Sequence, residues 1–150
     1  MPNVMAVPRF ERFFRLAAGL DVDKEDIGRF DEFVHDRVLG LLVMGEAHAK
    51  ANGRDVIEPP DLPVTKGLQE RIHEFEKMDA EVELGPVLER MADSPQLDLE
   101  LSEEARADLA PIVGGYAVSL ARVFTVVDPK VKNPASEAWE RAARVFELLT

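Results

Sequence analysis

The sequence predicts an all-α protein that is built from two similar helical halves. Apolar residues recur at helical spacing along most of the chain, whereas strand-like alternation never extends beyond a few residues. The order short helix, long helix, short helix occurs twice. The segment Leu97-Asp98-Leu99-Glu100 repeats the pattern of Leu20-Asp21-Val22-Asp23 at an offset of 77 residues, which is about half of the chain.

The composition fits one compact unit, residues 1–150. The chain is 46% hydrophobic and 31% charged, which suffices for a core, and its lack of cysteine excludes disulfides and thiolate metal sites. It shows neither the apolar segment of a signal peptide nor a run of about 20 apolar residues, so we expect a cytoplasmic protein without a membrane partner. A formal net charge of −11 disfavours binding to phosphate backbones.

The first half, residues 8–78, is expected to begin with a short helix. Pro8 can open a helix over residues 9–18, and Gly19 stands where a C-terminal cap is expected. The apolar face of this helix is formed by Phe10, Phe13, Phe14 and Ala17.

A long helix of about 28 residues, or roughly 40 Å, is expected next. Asp23 can cap it, with Asp26 completing a capping box, and Asn52-Gly53 is a stop signal. Residues 38–44 are apolar nearly all round, which predicts burial from more than one side. His48 lies on the apolar stripe and is expected in the core or at an interface.

The third helix is expected to start at Asp61, which is a suitable N-cap residue, with Pro63 tolerated in the first turn. It should run to about Met78. Its inner face is formed by Val64, Leu68, Ile72 and Phe75.

The second half, residues 79–150, follows the same order. Pro86 opens a short helix that Ser94-Pro95 ends, Ser102 caps a long helix, and Asn133-Pro134 opens the last helix. Trp139 on that last helix is expected in the core.

The second half is also expected to diverge from the first. Pro111, followed by Gly114-Gly115, lies inside the second long helix. A proline removes a backbone donor and its ring clashes with the preceding turn, so we expect this helix to kink or break near Pro111.

The order short helix, long helix, short helix, occurring twice, is the arrangement of the histone fold. In archaeal-type histones a Gly-Arg loop joins the long and last helices, and its arginine forms an ion pair with the aspartate that opens the last helix. Gly53-Arg54 and Asp61 resemble that arrangement, and Ala18-Gly19 lies where those histones carry Ala-Gly. The whole chain, including the stretch DLPVTKGLQE, is similar to an uncharacterised bacterial family of single-chain histone-fold pairs.

The resemblance implies a pseudo-dimer, because one histone fold cannot bury both sides of its long helix and needs a partner. It also implies that Arg54 and Asp61 form a structural clamp. We therefore expect a non-enzymatic, histone-like module for protein interaction or dimerisation, which binds a protein partner or a second copy of itself.

The alternative is a nucleoid-associated protein that binds DNA non-specifically. DNA-binding histones carry Lys-Thr after the Gly-Arg and an arginine in the first loop, whereas this chain has Asp55-Val56 and Leu20-Asp21-Val22-Asp23 there. The second half lacks a Gly-Arg loop and carries Lys130 and Lys132 in the corresponding loop instead. The candidate DNA contacts are Arg9, Arg12, Arg15, Lys24, Arg54 and Lys66.

Two Glu-x-x-His motifs, residues 32–35 and 70–73, are similar to those of di-iron helical bundles. Helical phase places Glu32 opposite the apolar stripe, whereas a di-iron ligand must point inward. The chain also lacks a Gly-rich phosphate loop after a strand and a local nucleophile motif. We therefore expect no metal, no cofactor and no enzymatic activity.

Overall fold

The computed structural model describes residues 6–91 and 97–150. In these ranges the chain is mainly helical, which confirms the all-α prediction at that level. The helices are α1 (Ala6–Ala18), α2 (Lys24–Ala51), α3 (Lys66–Val82), α4 (Gly85–Met91), α5 (Glu103–Val127) and α6 (Ser136–Leu149). The strands β1 (Val56–Ile57) and β2 (Glu100–Leu101) and a 3₁₀ turn (Pro59–Asp61) lie between them.

The two strands form a short parallel pair that the sequence pattern did not predict. Val56 lies opposite Glu100 and Ile57 opposite Leu101. The Ser102 N–H continues the pairing by donating to the Ile57 carbonyl at 2.9 Å. Two residues per strand are too few for an alternating pattern to be visible in the sequence.

The long helix α2 begins as predicted. The Asp23 carboxylate accepts from the Glu25 and Asp26 N–H groups at 2.9 and 3.2 Å. In return, the Asp26 carboxylate accepts from the Asp23 N–H at 3.1 Å, which completes the capping box. The helix ends at Ala51, and Gly53 follows with a φ of +71°.

Three other helix boundaries differ from the predictions. Helix α1 begins at Ala6, α3 begins at Lys66 with Thr65 as its cap, and α6 begins at Ser136. Asp61 does not cap α3 because its carboxylate is engaged in the 3₁₀ turn that precedes the helix. Pro134 is buried ahead of the last helix rather than in its first turn. The predicted stop at Ser94-Pro95 lies outside the described residues.

Helix α5 is continuous through Pro111, so the predicted break is wrong. The glycines instead form the surface on which α3 packs. A Cβ atom at Gly114 would lie 2.2 Å from Cδ2 of Phe75, and one at Gly115 would lie 2.7 Å from Cγ1 of Ile72. Only glycine allows α3 and α5 to approach this closely, and their packing supports the helix where proline removes one hydrogen bond.

Aromatic side chains connect the two halves of the core. Trp139 of α6 is buried as predicted, with ring centroids 5.0 Å from Phe124 and 6.2 Å from Phe14. Phe146 of α6 packs edge-on against Phe33 of α2 at 4.9 Å. The core is therefore shared between the halves. The predicted domain boundaries, 8–78 and 79–150, stay predictions, and α3 continues past Met78 to Val82.

Helix α5 is long and apolar enough to cross a membrane by length and composition alone, contrary to our sequence-based expectation. Of its most apolar window, 56% is buried inside the protein. The core helix of a globular protein meets the same criteria, so this is weak evidence for a membrane.

The apolar stretch in the middle of α2 is buried on one side only. Val38, Leu41 and Leu42 are buried, whereas Val43 and Met44 are 49% and 59% exposed. The prediction that this stretch is buried from more than one side is therefore wrong. Five residues form what we call the open face of α2: Leu39, Gly40, Val43, Met44 and Ala47.

Candidate functional site

Arg54 lies where the sequence predicted, beside Asp61. Its backbone N–H donates to the Ala49 carbonyl at 3.0 Å and so helps to end α2. Its guanidinium contacts both carboxylate oxygens of Asp61, with Nη2 2.6 Å from Oδ1 and Nη1 bonded to Oδ2. The Glu58 N–H donates to Oδ2 at 2.8 Å. The Asp61 side chain is fully buried, while that of Arg54 is 38% exposed.

His48 is the third side chain of this site. Its Nδ1 lies 2.9 Å from Oδ1 of Asp61. An ionised carboxylate only accepts hydrogen bonds, so the shared hydrogen lies on Nδ1. The His48 side chain is 57% exposed, so it does not lie in the core, and its predicted place at an interface stays a prediction.

Arg54 has the largest effect on the ionisation of Asp61. Its hydrogen bonds hold the pKa of the Asp61 carboxyl well below the usual range, and the Glu58 N–H and His48 act in the same direction against the effect of burial. The pKa of Arg54 is raised by the same hydrogen bonds. The arrangement holds the end of α2 against the 3₁₀ turn, and the role of Arg54 and Asp61 as a structural clamp stays a prediction.

A second group of contacts at this end was missed by the sequence analysis. Glu46 accepts from the Leu99 N–H at 2.9 Å. Lys50 lies 3.0 Å from Asp98, whose carboxylate raises the pKa of Lys50, and 3.6 Å from Glu46. The four-residue spacing of Glu46 and Lys50 is typical of a pair within a helix and gives no sign of contacts with residues 98 and 99. We call residues 46–61 together with 97–101 the clamp end.

Most of the candidate DNA contacts lie beside carboxylates. Arg9 is 3.9 Å from Glu83, Arg15 is 3.7 Å from Asp21, and Lys66 is 3.7 Å from Glu70. Arg12 and Lys24 are exposed. The role of each of the six residues in DNA binding stays a prediction.

Three lysines belong to the two segments that meet at the opposite junction. The Asp21 N–H donates to the Lys132 carbonyl at 2.6 Å, which brings the loop before α2 to the loop before α6. Lys24, Lys130 and Lys132 are exposed there. Within the part of the chain that the structure describes, none of the three has a carboxylate within 4.0 Å. We call residues 20–24 together with 128–133 the lysine end.

The two Glu-x-x-His motifs lie on outer helix surfaces. Glu32, His35, Glu70 and His73 are all exposed. Among residues 6–91 and 97–150, no group of three or more histidine or acidic side chains is placed to hold a metal ion. The expectation that the protein holds no metal stays a prediction.

The described surface also carries large apolar side chains. Met44 of the open face and Leu149 of α6 line a groove of about 530 Å³ between α2 and α6. Among the residues whose side chains the structure describes, the exposed large apolar ones are Leu16, Leu39, Val43, Met44, Val126, Val127, Leu148 and Leu149. Exposed apolar patches of this kind are typical of interaction surfaces.

Comparison with known proteins places the chain among proteins of unknown function. The family described as "Domain of unknown function (DUF1931)" matches residues 10–147. Two proteins of Aquifex aeolicus (strain VF5), both described as "Uncharacterized protein", are similar to the chain. One is 28% identical over 139 residues, covering 93% of this chain and 81% of its own length. The other is 30% identical over 128 residues, covering 79% and 77%.

Two crystal structures have the same fold along nearly the whole chain. One is of a protein from Thermus thermophilus, with 49% identity and a TM-score of 0.85, covering 97% of this chain and 100% of that protein. The other, at 1.9 Å, is of a protein from Aquifex aeolicus, with 26% identity and a TM-score of 0.85, covering 97% and 95%. Neither description states a function.

Proposed function

This chain belongs to the DUF1931 family, and we propose that it is a single-chain pair of histone folds that serves as a non-enzymatic protein interaction module. The observation that carries the proposal is the open face of α2. Its Val43 and Met44 are 49% and 59% exposed in the middle of the long helix. Apolar surface of this size is stabilised when another protein covers it.

Contacts between the halves support the histone-like pairing. The loop after the first long helix pairs through β1 with the loop before the second, through β2. At the other junction, the loop before the first long helix bonds to the loop after the second through Asp21 and Lys132. The last helix of the first half packs closely on the long helix of the second, where Phe75 lies against Gly114. The last helix of the second half packs mainly on α5 and reaches the long helix of the first half through Phe146 and Phe33. Such reciprocal contacts are expected of two histone folds that pair within one chain.

Charge supports a protein partner over DNA. The guanidinium of Arg54 is engaged by Asp61, and Asp55 beside it is exposed. With a net charge of −11, the chain as a whole repels phosphate backbones. We therefore propose a cytoplasmic protein whose partner is a protein.

A gel shift with random-sequence duplex DNA at low salt tests this proposal. We expect no shift at a protein concentration of about 10 μM, because non-specific binding depends on unpaired cations that release counterions from the phosphates. A shift at that concentration, lost steeply as salt is raised, would replace the proposal by the DNA-binding alternative.

That alternative has one observation in its favour, the lysine end. Lys24, Lys130 and Lys132 are exposed together there, and Arg12 is exposed on α1. In this second candidate function, the chain is a nucleoid-associated protein that contacts phosphates at the lysine end rather than through Arg54.

A further inference from the structure

A groove between four helices is a candidate ligand site. It lies between α2, α3, α5 and α6 and has a volume of about 530 Å³, which is within the range of small-molecule sites. Its apolar wall is formed by Leu41, Met44, Leu68, Phe146 and Leu149. Leu41, Leu68 and Phe146 belong to the buried core, whereas Met44 and Leu149 are exposed. The wall therefore extends from the core to the surface and can cover a short hydrocarbon chain.

Tyr116 of α5 contributes a buried polar group to this groove. The residue is 6% exposed, and it lines the groove. Among the described residues, nothing forms a hydrogen bond with its hydroxyl, yet the hydroxyl is not one of the polar atoms that are sealed from solvent. The hydroxyl is therefore open to the groove. A buried tyrosine hydroxyl normally has a partner, so this one is available to a bound molecule.

Arg37 of α2 brings a positive charge to the same groove. Its Nη1 donates to the Thr150 hydroxyl at 3.0 Å, and the guanidinium carbon lies 5.8 Å from the centroid of the Phe33 ring. Of the side chains that the structure describes, no carboxylate lies within 4.0 Å of this guanidinium, and its Nε is buried without a partner. Burial raises the pKa of Tyr116, and the positive charge of Arg37 opposes that effect, so the two groups are close enough to interact.

Three side chains of the groove have unused hydrogen-bond donors. A guanidinium has five N–H donors, and Arg37 uses one of them on Thr150. The Thr65 hydroxyl accepts from the Leu68 N–H at 3.2 Å, so its own hydrogen remains for another acceptor. The Tyr116 hydroxyl can also donate. Unused donors beside a positive charge favour an occupant whose polar end carries oxygen acceptors and a negative charge.

Two carboxylates, those of Asp36 and Glu147, also line the groove. Both residues are exposed, so solvent and salt screen their charges, whereas Arg37 is half-buried and Tyr116 is buried. A carboxylate on the ligand gains hydrogen bonds from the two less exposed groups and is repelled weakly by the two exposed ones. An amine is attracted to the exposed carboxylates but leaves the unused donors without an acceptor. A carboxylate is favoured because hydrogen bonds in a partly buried site are stronger than those in water.

We propose that this groove binds a small molecule with a carboxylate at one end and a short hydrocarbon body. The carboxylate accepts from Arg37 and from Tyr116, because a guanidinium presents parallel N–H donors that match two carboxylate oxygens. The hydrocarbon body lies against the apolar wall. This ligand site does not rest on the proposed function, so its failure leaves the protein interaction module intact.

Isothermal titration calorimetry of the full-length protein with octanoate tests the proposal. We expect a dissociation constant on the order of 0.1–1 mM for a ligand of this size. Octylamine and octanol share the hydrocarbon chain and should bind at least about tenfold more weakly. Equal binding of octanoate and octanol would show that only the apolar wall binds the ligand, and this would overturn the proposal. Tighter binding of octylamine than of octanoate would overturn it in favour of Asp36 and Glu147, and so would the absence of octanoate binding at about 10 mM.

Tyr116→Phe separates binding from folding, because it keeps the buried ring and removes only a hydroxyl that has no partner among the described residues. We expect its melting temperature to stay within about 1 °C of wild type and its affinity for octanoate to fall about fivefold. A loss of stability with unchanged affinity would give the hydroxyl a structural role and contradict the proposal.

Variants that change charge test the position of the carboxylate. Arg37→Gln should weaken octanoate binding about tenfold or more. Arg144→Gln is the matched control and should bind as the wild type does, since Arg144 is exposed on α6 and does not line the groove. Glu147→Gln should strengthen binding about twofold because it removes a repelling charge. Equal affinities of Arg37→Gln and Arg144→Gln, or weaker binding by Glu147→Gln, would overturn the contact of the carboxylate with Arg37.

Discussion

The clamp end and the lysine end each join a loop of the first half to a loop of the second, yet the chain stabilises them differently. At the clamp end, a fully buried carboxylate of Asp61 accepts from Arg54, His48 and Glu58, and two short strands pair beside it. At the lysine end, a backbone hydrogen bond from Asp21 to Lys132 connects the two loops. The helix order is thus repeated, whereas the chemistry of the junctions is not.

Because different contacts hold the two junctions together, each junction can be altered without changing the other. Side chains at the clamp end are engaged with one another, so substitutions there should act on stability. Lysines at the lysine end are exposed, so substitutions there should act on binding at the surface. Substitutions at each end test whether stability and surface binding are separate in this way, in order of decreasing effect on stability.

The largest effect is expected from Asp61→Asn. The substitution keeps the shape of the side chain but leaves the Arg54 guanidinium without its counter-charge and gives one oxygen position a donor group. We expect the melting temperature at neutral pH to fall by on the order of 5 °C, measured by circular dichroism. Asp21→Asn at the lysine end is the control, because the Asp21 side chain is exposed beside Arg15. Equal losses in the two variants would remove the distinction between the ends.

The pH dependence of the same variant sharpens the test. The pKa of Asp61 is lowered in the folded state, chiefly by the hydrogen bonds from Arg54. A lowered pKa stabilises the fold fully above the unfolded value of 3.8, and this contribution declines as the pH falls below it. The difference in melting temperature between wild type and Asp61→Asn should therefore be constant between about pH 5 and 8 and smaller at about pH 3. A constant difference down to that pH would contradict the assignment.

A smaller effect is expected from Glu46→Ala at the same end. Without the carboxylate, the Leu99 N–H loses its acceptor in a partly buried position, which costs about 1 kcal/mol. Lys50→Ala is the matched variant. It removes a surface ion pair with Asp98, so urea unfolding should give nearly the wild-type midpoint. A larger loss in Lys50→Ala than in Glu46→Ala would reverse this ranking.

Gly19→Ala and Gly53→Ala compare the backbone at the two ends. Gly19 ends α1 with a φ of +66°, and Gly53 follows α2 with a φ of +71°. Both have open space where a Cβ atom would lie, so alanine would add backbone strain without a clash. We expect each variant to lose about 1 kcal/mol in urea unfolding. Unequal losses would show that the two ends differ in backbone as well as in side chains.

Local signals in the sequence were sufficient for most of the helices, as when Asp23 with Asp26 predicted the start of α2. Such features depend on neighbours in the chain, so a single sequence contains them. The contact of Arg54 with Asp61 was instead implied by the resemblance to archaeal-type histones. The histone-like pairing came from resemblance and stays a proposal.

Features that depend on contacts distant in sequence were predicted incorrectly or missed. Pro111 and Gly114-Gly115 suggested a broken helix because the pattern does not show that α3 packs there. The apolar stretch of α2 suggested burial from more than one side because periodicity does not show which side has a neighbour. For the same reason the contact of Glu46 with Leu99 could not be seen.

The smallest effect on stability is expected from reversing the charges of the lysine end, with Lys24→Glu, Lys130→Glu and Lys132→Glu combined. These side chains are exposed, so the melting temperature should stay within about 2 °C of wild type. Glutamate in place of Lys24, the first residue of α2, also suits the positive end of the helix dipole. If the chain does shift DNA at low salt, this variant should abolish the shift, whereas Arg54→Ala should lower the melting temperature and keep the shift. The opposite result, with DNA binding lost in Arg54→Ala and kept in the triple variant, would place phosphate contacts at the clamp end and contradict the separation of the two junctions.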